Sequence, residues 1–161
     1  MKIQLADSTQ FERVFDLLLQ NANWLQTVCP KQWPIQWLQE KKPMILQSIE
    51  AKQVYVAIKN NQIIATMQLL TLPESVWGND KHPAIYVHKL AIDRRFKNQK
   101  LGAFMLNEVN IIAQKKGIGC IRLDCVQANE FLKNYYESLG FKLMGQAVDE
   151  GEPIFLFEKS I

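Results

Sequence analysis

IRLDCVQANEFLKNYYESLGF, residues 121–141, contains three local signals in succession: an apolar strand, a helix start and a helix stop. The apolar residues of its first part predict a strand over 119–126. Asn129 is a residue type that begins helices, and Gly140 is one that ends them, so a helix is predicted over 129–139 with Tyr135 and Tyr136 on it. The stretch therefore predicts strand, helix and turn in that order.

A second strand precedes this stretch and leads into a basic turn. AIYVHKLAID, residues 84–93, predicts the strand, and RRFKNQKLGA, residues 94–103, follows it directly. Apolar residues then recur at helical spacing, at Leu101, Met105, Leu106, Val109, Ile112 and Ala113. Lys115, Lys116 and Gly117 form a basic last turn and a stop. The order is strand, basic turn, helix, strand, helix.

The flanking segments add strands at both ends of the chain. Residues 2–6 alternate like a strand, and a helix follows whose caps are offered by Asp7, Ser8 and Thr9, with Thr9 and Glu12 at capping-box spacing. Residues 53–59 and 62–72 predict a hairpin, and residues 141–148 and 153–159 predict two more strands. This order predicts an α/β (α+β) fold with a central mixed, mostly antiparallel sheet of about six to seven strands and helices on both faces.

Composition limits the classes of protein that fit. A length of 161 residues with 48% hydrophobic residues predicts a single domain over residues 1–161. The net charge of +3 is spread along the chain, which argues against a nucleic-acid partner. Three cysteines without metal-ligand spacing predict neither a disulfide framework nor a metal site, and favour the cytoplasm. The sequence has no uninterrupted apolar run of the kind that a signal peptide or a membrane-spanning segment requires, so no membrane partner is predicted.

The basic turn is the first candidate site, because it lies where the chain leaves a strand and opens a helix. Backbone N–H groups at a helix start favour a phosphate or pyrophosphate, and glycine allows the backbone to approach such a ligand closely. An ordinary basic loop that caps a helix is the alternative. The candidate residues are Lys97, Asn98, Gln99, Lys100, Leu101, Gly102 and Ala103.

The turn and the helix after it resemble the core of the GNAT superfamily of N-acetyltransferases. That family has Arg or Gln, two residues, Gly, one residue, then Gly or Ala, and here Lys97 and Gly102 take the first and last positions. Lys100 replaces the first glycine, which is a departure from the pattern. Downstream, Asn129 precedes Tyr136 by seven residues and the pair Gly140-Phe141 by eleven, as in the family.

The resemblance implies a single-domain GNAT fold that binds acetyl-CoA through a core at about residues 84–145. Asn129 would bond the pantetheine or acceptor side, and Tyr136 would place its phenol beside the thioester sulfur. A helix cap and core packing are the respective alternatives. The strand residues Leu90, Ala91 and Ile92 would contribute main-chain bonds, one N–H serving as an oxyanion donor, with the side chains of Leu90 and Ile92 in the core.

The general base is open at the level of sequence. His88 lies on the same strand and has a neutral form near pH 7, while Asp124, Glu137 and an ordered water are rivals. Cys125 is interpreted as a buried apolar residue rather than a nucleophile.

The segment at about residues 20–52 is predicted to be an irregular cover on the acceptor side. Pro30, Pro34 and Pro43 interrupt it, so its helices must be short or broken. Its tryptophans are candidates for the wall of an acceptor pocket, together with one in the loop before the strand at 84–93. These four residues are Trp24, Trp33, Trp37 and Trp77.

The function predicted from this resemblance is N-acetyltransfer from acetyl-CoA to a primary amine, by direct attack in a ternary complex and without a metal. The alternative is a non-catalytic acyl-CoA-binding or sensing module with the same fold. The acceptor is open among small amines, polyamines, antibiotics, amino acids and protein or peptide amines. A monomer or a homodimer is expected.

Overall fold

The computed structural model of the protein describes every residue from Met1 to Ile161. Seven strands form one sheet in the order β1-β2-β3-β4-β5-β7-β6. Their bounds are β1 Lys2–Leu5, β2 Val54–Lys59, β3 Gln62–Leu70, β4 Ile85–Ile92, β5 Cys120–Val126, β6 Lys142–Asp149 and β7 Glu152–Ser160. Four pairs, β1 with β2, β2 with β3, β5 with β7 and β6 with β7, are antiparallel, whereas β4 and β5 are parallel. The predicted class, an α/β fold with a mixed, mostly antiparallel sheet, is confirmed.

Five helices connect or cover the strands: α1 Phe11–Val28, α2 Ile35–Glu40, α3 Lys42–Glu50, α4 Leu101–Lys115 and α5 Glu130–Ser138. A short 3-10 turn at Ser8–Gln10 precedes α1, and its capping box joins Asp7 to Gln10. The predicted box at Thr9 and Glu12 is therefore wrong. The side chain of Asp7 accepts a backbone N–H of the turn, and the side chain of Gln10 accepts the backbone N–H of Asp7. None of the helices combines the length and apolarity that a membrane span requires.

The chain divides into two compact units. The first comprises Met1–Leu69 and His88–Glu108, and the second comprises Leu70–Val87 and Val109–Ile161. Strand β4 and helix α4 each contribute residues to both units. The single-domain assignment for residues 1–161 stays a prediction.

The core of the first unit lies under α1, α2 and α3. Val14, Leu17 and Leu18 of α1 are fully buried, as the helical spacing of its apolar residues predicts. Leu38 of α2 and Ile45 of α3 join the same apolar cluster. The prediction that helices in residues 20–52 are short or broken is confirmed by α2 and α3, whereas the description of the segment as a cover outside the core is wrong. Its position on the acceptor side stays a prediction. Pro34 and Pro43 lie at the starts of α2 and α3, where no backbone N–H is lost from the ladder, and Pro30 lies just after the end of α1.

The second unit is built on β5, β7 and β6, against which α5 packs. Phe157 of β7 is fully buried, and Tyr136 of α5 contacts it with ring centroids 5.6 Å apart. Arg122 on β5 fixes the loop that precedes β4: its guanidinium bonds Asp80, donates to Glu158 at 2.8 Å and lies 4.4 Å from the ring centroid of Trp77. The Arg122 side chain is only 3% exposed, whereas its partners Asp80 and Glu158 are 34% and 22% exposed, so water is excluded from the guanidinium side of these bonds.

Candidate functional site

The basic turn begins at a buried carboxylate. Asp93 follows β4, is fully buried, and accepts the backbone N–H of Arg95 at 3.0 Å, which caps the 3-10 turn at Arg94–Phe96. Arg95 also donates to it from Nη2 at 2.7 Å, and Arg13 of α1 donates at 2.5 Å. The hydrogen bonds from Arg95, with a smaller contribution from Arg13, lower the pKa of Asp93 to about 2. The turn is therefore held to α1 through one ionised carboxylate.

Two residues of the turn have left-handed backbone. Asn98 has φ 63° and Lys100 has φ 57°. Asparagine tolerates this region, but lysine is penalised there by contact between its Cβ and the following carbonyl oxygen. Glycine, which the family pattern has at this position, would adopt the left-handed φ without that penalty. Lysine in place of glycine at position 100 therefore adds a backbone cost as well as a positive charge.

Helix α4 opens at the basic turn with N–H groups that have no acceptor within the helix. Its hydrogen-bond ladder begins where the N–H of Phe104 donates to the carbonyl of Lys100 at 3.0 Å. The amides of Leu101, Gly102 and Ala103 precede that bond, as the first N–H groups of any helix do. Lys97, Asn98, Gln99 and Lys100 are exposed around them. The turn can accommodate an anionic ligand by backbone donors, helix dipole and lysine charge together.

Replacing Lys100 with Gly is expected to stabilise the protein relative to Lys100→Ala. Both variants lose the same charge, but only glycine removes the left-handed penalty, so we expect the free energy of unfolding of the Gly variant to be higher by about 1 kcal/mol. Urea unfolding followed by tryptophan fluorescence measures the difference. Equal stabilities would indicate that Lys100 is not held in the left-handed region.

The end of β4 departs from the expected pattern of burial. Ala91 is 2% exposed and belongs to the apolar core, whereas Leu90 and Ile92 are half-buried. The prediction that the side chains of Leu90 and Ile92 are core is therefore wrong. Lys89 has φ 49° within the strand, which breaks the regular alternation, and its ammonium donates to Gln68 at 2.8 Å. The carbonyl of Ile92 accepts from Asn21 at 2.9 Å.

Tyr136 lies in an aromatic environment in the second unit. Its side chain is 8% exposed, and its ring packs on Phe141 and Phe157 with centroids 6.0 and 5.6 Å away. Burial, with smaller contributions from Cys125 and Asp124, raises the pKa of Tyr136 far above its ordinary value. The phenol is therefore protonated at physiological pH, which is the state that a proton donor requires. Core packing of the ring and a chemical role of the hydroxyl are compatible.

Asn129 caps the helix that carries Tyr136. Its side chain accepts the N–H of Leu132 at 3.1 Å, and the residue is 6% exposed. The cap predicted as one interpretation of Asn129 is confirmed, and its ligand-binding role stays a prediction. The cap fixes the start of α5 and hence the position of Tyr136 two turns later.

The candidates for the general base differ in their surroundings. Glu137 is exposed and paired with Lys133 at 3.3 Å. Asp124 is half-buried on β5, and one of its carboxylate oxygens lies within 4.8 Å of one of Glu74. Glu74 was not identified from the sequence, because nothing in TLPESVW marks a glutamate that lies near another strand. His88 is half-buried on β4 beside the left-handed Lys89.

The four tryptophans have different neighbours. Trp24 is 37% exposed and lies under the guanidinium of Arg94, 3.8 Å from its ring centroid. Trp33 and Trp37 are partly buried against the apolar core of the first unit. Trp77 contacts Tyr86 and Arg122 in the second unit. Their role as the wall of an acceptor pocket stays a prediction.

Comparison with known proteins places this geometry in a family. The model of the acetyltransferase (GNAT) family matches residues 18–141. The uncharacterized N-acetyltransferase YesJ of Bacillus subtilis (strain 168) is 35% identical over 157 residues, which cover 93% of this chain and 84% of that protein.

Solved structures have the same fold. A GNAT-family acetyltransferase from Listeria monocytogenes 4b F2365 is 23% identical with a TM-score of 0.83, covering 99% of this chain and 94% of that chain. The PaiA N-acetyltransferase of Thermoplasma acidophilum, in complex with coenzyme A, is 20% identical with a TM-score of 0.80, covering 99% and 98%. The family match covers most of the chain, including the strand, turn and helix at residues 85–115 and the helix that carries Tyr136. This chain therefore belongs to the GNAT family of acetyltransferases.

Proposed function

We propose that the protein transfers the acetyl group of acetyl-CoA to a primary amine, by direct attack of the amine on the thioester in a ternary complex. The observation that carries the proposal is the buried, neutral phenol of Tyr136, on a helix whose cap and glycine stop have the family spacing. When the tetrahedral intermediate collapses, the phenol donates its proton to the departing thiolate of coenzyme A. The amide product then carries the acetyl group.

Coenzyme A is proposed to bind through the basic turn and the end of β4. The backbone N–H groups of Leu101, Gly102 and Ala103, at the positive end of the α4 dipole, would donate hydrogen bonds to the pyrophosphate. The exposed side chains of Lys97, Asn98, Gln99 and Lys100 would surround it, the lysines adding charge. Main-chain groups of Leu90, Ala91 and Ile92 would hold the pantetheine arm, and Asn129 would bond it or the acceptor. The coenzyme A bound to the PaiA relative supports this choice of co-substrate.

Direct transfer is favoured over an acyl-enzyme because no cysteine is suited to attack a thioester. Cys29 and Cys125 are buried. Burial, with a smaller contribution from Glu158, raises the pKa of Cys120 to about 11, so its thiol is protonated at neutral pH. The amine proton is proposed to pass to His88 or, through water, to Asp124. A cytoplasmic location is part of the proposal, since all three cysteines are free.

A turnover screen tests the proposal. Purified protein with acetyl-CoA is offered a polyamine, an amino acid, an aminoglycoside, a small aliphatic amine and a peptide with a free N-terminus, and release of the coenzyme A thiol is followed with a chromogenic reagent. We expect thiol release that depends on one class of amine. Calorimetry with coenzyme A separates the alternatives: binding without turnover on any amine supports the sensing module, and absence of both contradicts the proposal.

A further inference from the structure

Strand β6 is an edge of the sheet and carries an unusual number of exposed apolar side chains. It pairs with β7 on one side and has no strand on the other. Leu143 is 41% exposed, Met144 is 55% exposed and Val148 is 65% exposed. Exposed edges of this kind can pair with another strand, and natural proteins usually protect them with charge or Pro. KLMGQAVD has no proline, and its charges lie only at its two ends.

The register of β6 against β7 determines which residues share a face. Leu143 is opposite Phe157 and Val148 is opposite Pro153, so these two apolar side chains project to one face. Lys142 is opposite Glu158 and Asp149 is opposite Glu152, so the two charged side chains project to the other. The register shift between Leu143 and Gly145 makes Met144 the bulged residue. Without this bulge, the two apolar side chains would project to opposite faces of the sheet, and so would the two charged ones.

This arrangement is complementary to itself. If β6 runs antiparallel to a second β6, with Met144 bulged in both, Lys142 lies opposite Asp149 of the partner subunit and Leu143 lies opposite Val148 of the partner subunit. Gln146 then lies on the twofold axis. In every opposed pair, the two side chains project to the same face of the joined sheet. The twofold axis repeats each contact, so the dimer has two pairs of Lys142 with Asp149 of the partner subunit, as an isologous contact requires.

We propose that the protein forms a homodimer by antiparallel pairing of β6 with β6 across a twofold axis at Gln146. The occupant is a second copy because the two ends of the strand have opposite charge: Lys142 stands at the first, and Asp149, Glu150 and Glu152 stand at the second. A parallel copy would place like charges together. The ladder bonds supply affinity, and the charged ends set orientation and register.

A charge exchange tests the pairing. Sedimentation velocity from about 1 μM to about 500 μM measures the dimer dissociation constant of the native chain, of Lys142→Asp, of Asp149→Lys and of the variant with both changes. Each single change replaces two attractive pairs by two repulsive ones, so we expect the dissociation constant to rise at least about tenfold. The double change restores both pairs with reversed sign, and its constant should return to within about threefold of the native one.

Lys31→Asp is the matched control for Lys142→Asp, since Lys31 is exposed in a turn of the first unit and the change in net charge is the same. It should leave the dissociation constant unchanged. Circular dichroism checks that each variant is folded, which the exposure of Lys142 and Asp149 favours. A native chain that is monomeric at every concentration overturns the proposal. Single changes without effect, or a double change that does not recover association, overturn it as well.

Discussion

Changing Tyr136 to Phe is expected to lower the single-turnover rate of acetyl transfer by about a hundredfold to ten-thousandfold, the usual worth of a general acid. The change keeps the ring that packs on Phe141 and Phe157 and deletes only the hydroxyl. The thermal midpoint and the affinity for acetyl-CoA should therefore change little. A loss confined to the chemical step is what removal of a proton donor at the leaving thiolate predicts.

Tyr135→Phe is the matched control for this loss. Tyr135 is the neighbouring residue of α5, is half-buried and stacks on Phe131 with ring centroids 6.0 Å apart. The same deletion of a phenolic oxygen there should leave the single-turnover rate within about threefold of the native rate. Rapid mixing of the acetyl-CoA complex with acceptor measures the step even where product release limits steady-state turnover. A Tyr136→Phe variant with the native single-turnover rate would leave solvent as the proton donor.

The order of elements was predictable from the sequence because it depends on local periodicity. The hairpin expected at residues 53–59 and 62–72 is found at Val54–Lys59 and Gln62–Leu70. The last two strands differ from their predicted bounds by one residue at each end. Alternation and turn residues act within a few positions, so a single chain reveals them. The capping box was assigned to the wrong pair for the same reason. Several cap residues lie within three positions of one another, and spacing alone does not choose between them.

The candidate site was predictable for residues whose role depends on neighbours in the sequence. It was not predictable for residues whose role depends on partners far away in the sequence. Asn129 and Tyr136 follow from their spacing to Gly140. A lysine in the sequence does not indicate a left-handed φ, so only the glycine of the family pattern suggests this backbone conformation at Lys100. Asp93 was missed because its partner Arg13 is 80 residues away in sequence. The signal that could have found it is an aspartate directly before a turn, which is a common cap.

Changing Asp93 to Ala is expected to lower the free energy of unfolding by about 2 to 3 kcal/mol, because it leaves the charges of two arginines without their shared, buried partner. The carboxylate is fully buried, and the side chains of Arg13 and Arg95 are 29% and 66% exposed, which limits the cost. Asp16→Ala is the control. Asp16 also pairs with Arg13, at 2.6 Å, but is 53% exposed, so its loss should cost under about 1 kcal/mol.

The contribution of Asp93 should depend on pH in a defined direction. Its pKa is lowered from about 3.9 in an unfolded chain. In the folded protein it is about 2, chiefly through the hydrogen bonds from Arg95. The carboxylate therefore stabilises the folded state fully above about pH 4, and this stabilisation is lost as the pH falls toward 2. Urea unfolding of the native chain and of Asp93→Asn at successive pH values measures it. We expect the difference in unfolding free energy to be constant from pH 7 to about pH 5 and to narrow below about pH 4. A difference that stays constant throughout would mean that the ionised carboxylate does not hold the turn to α1.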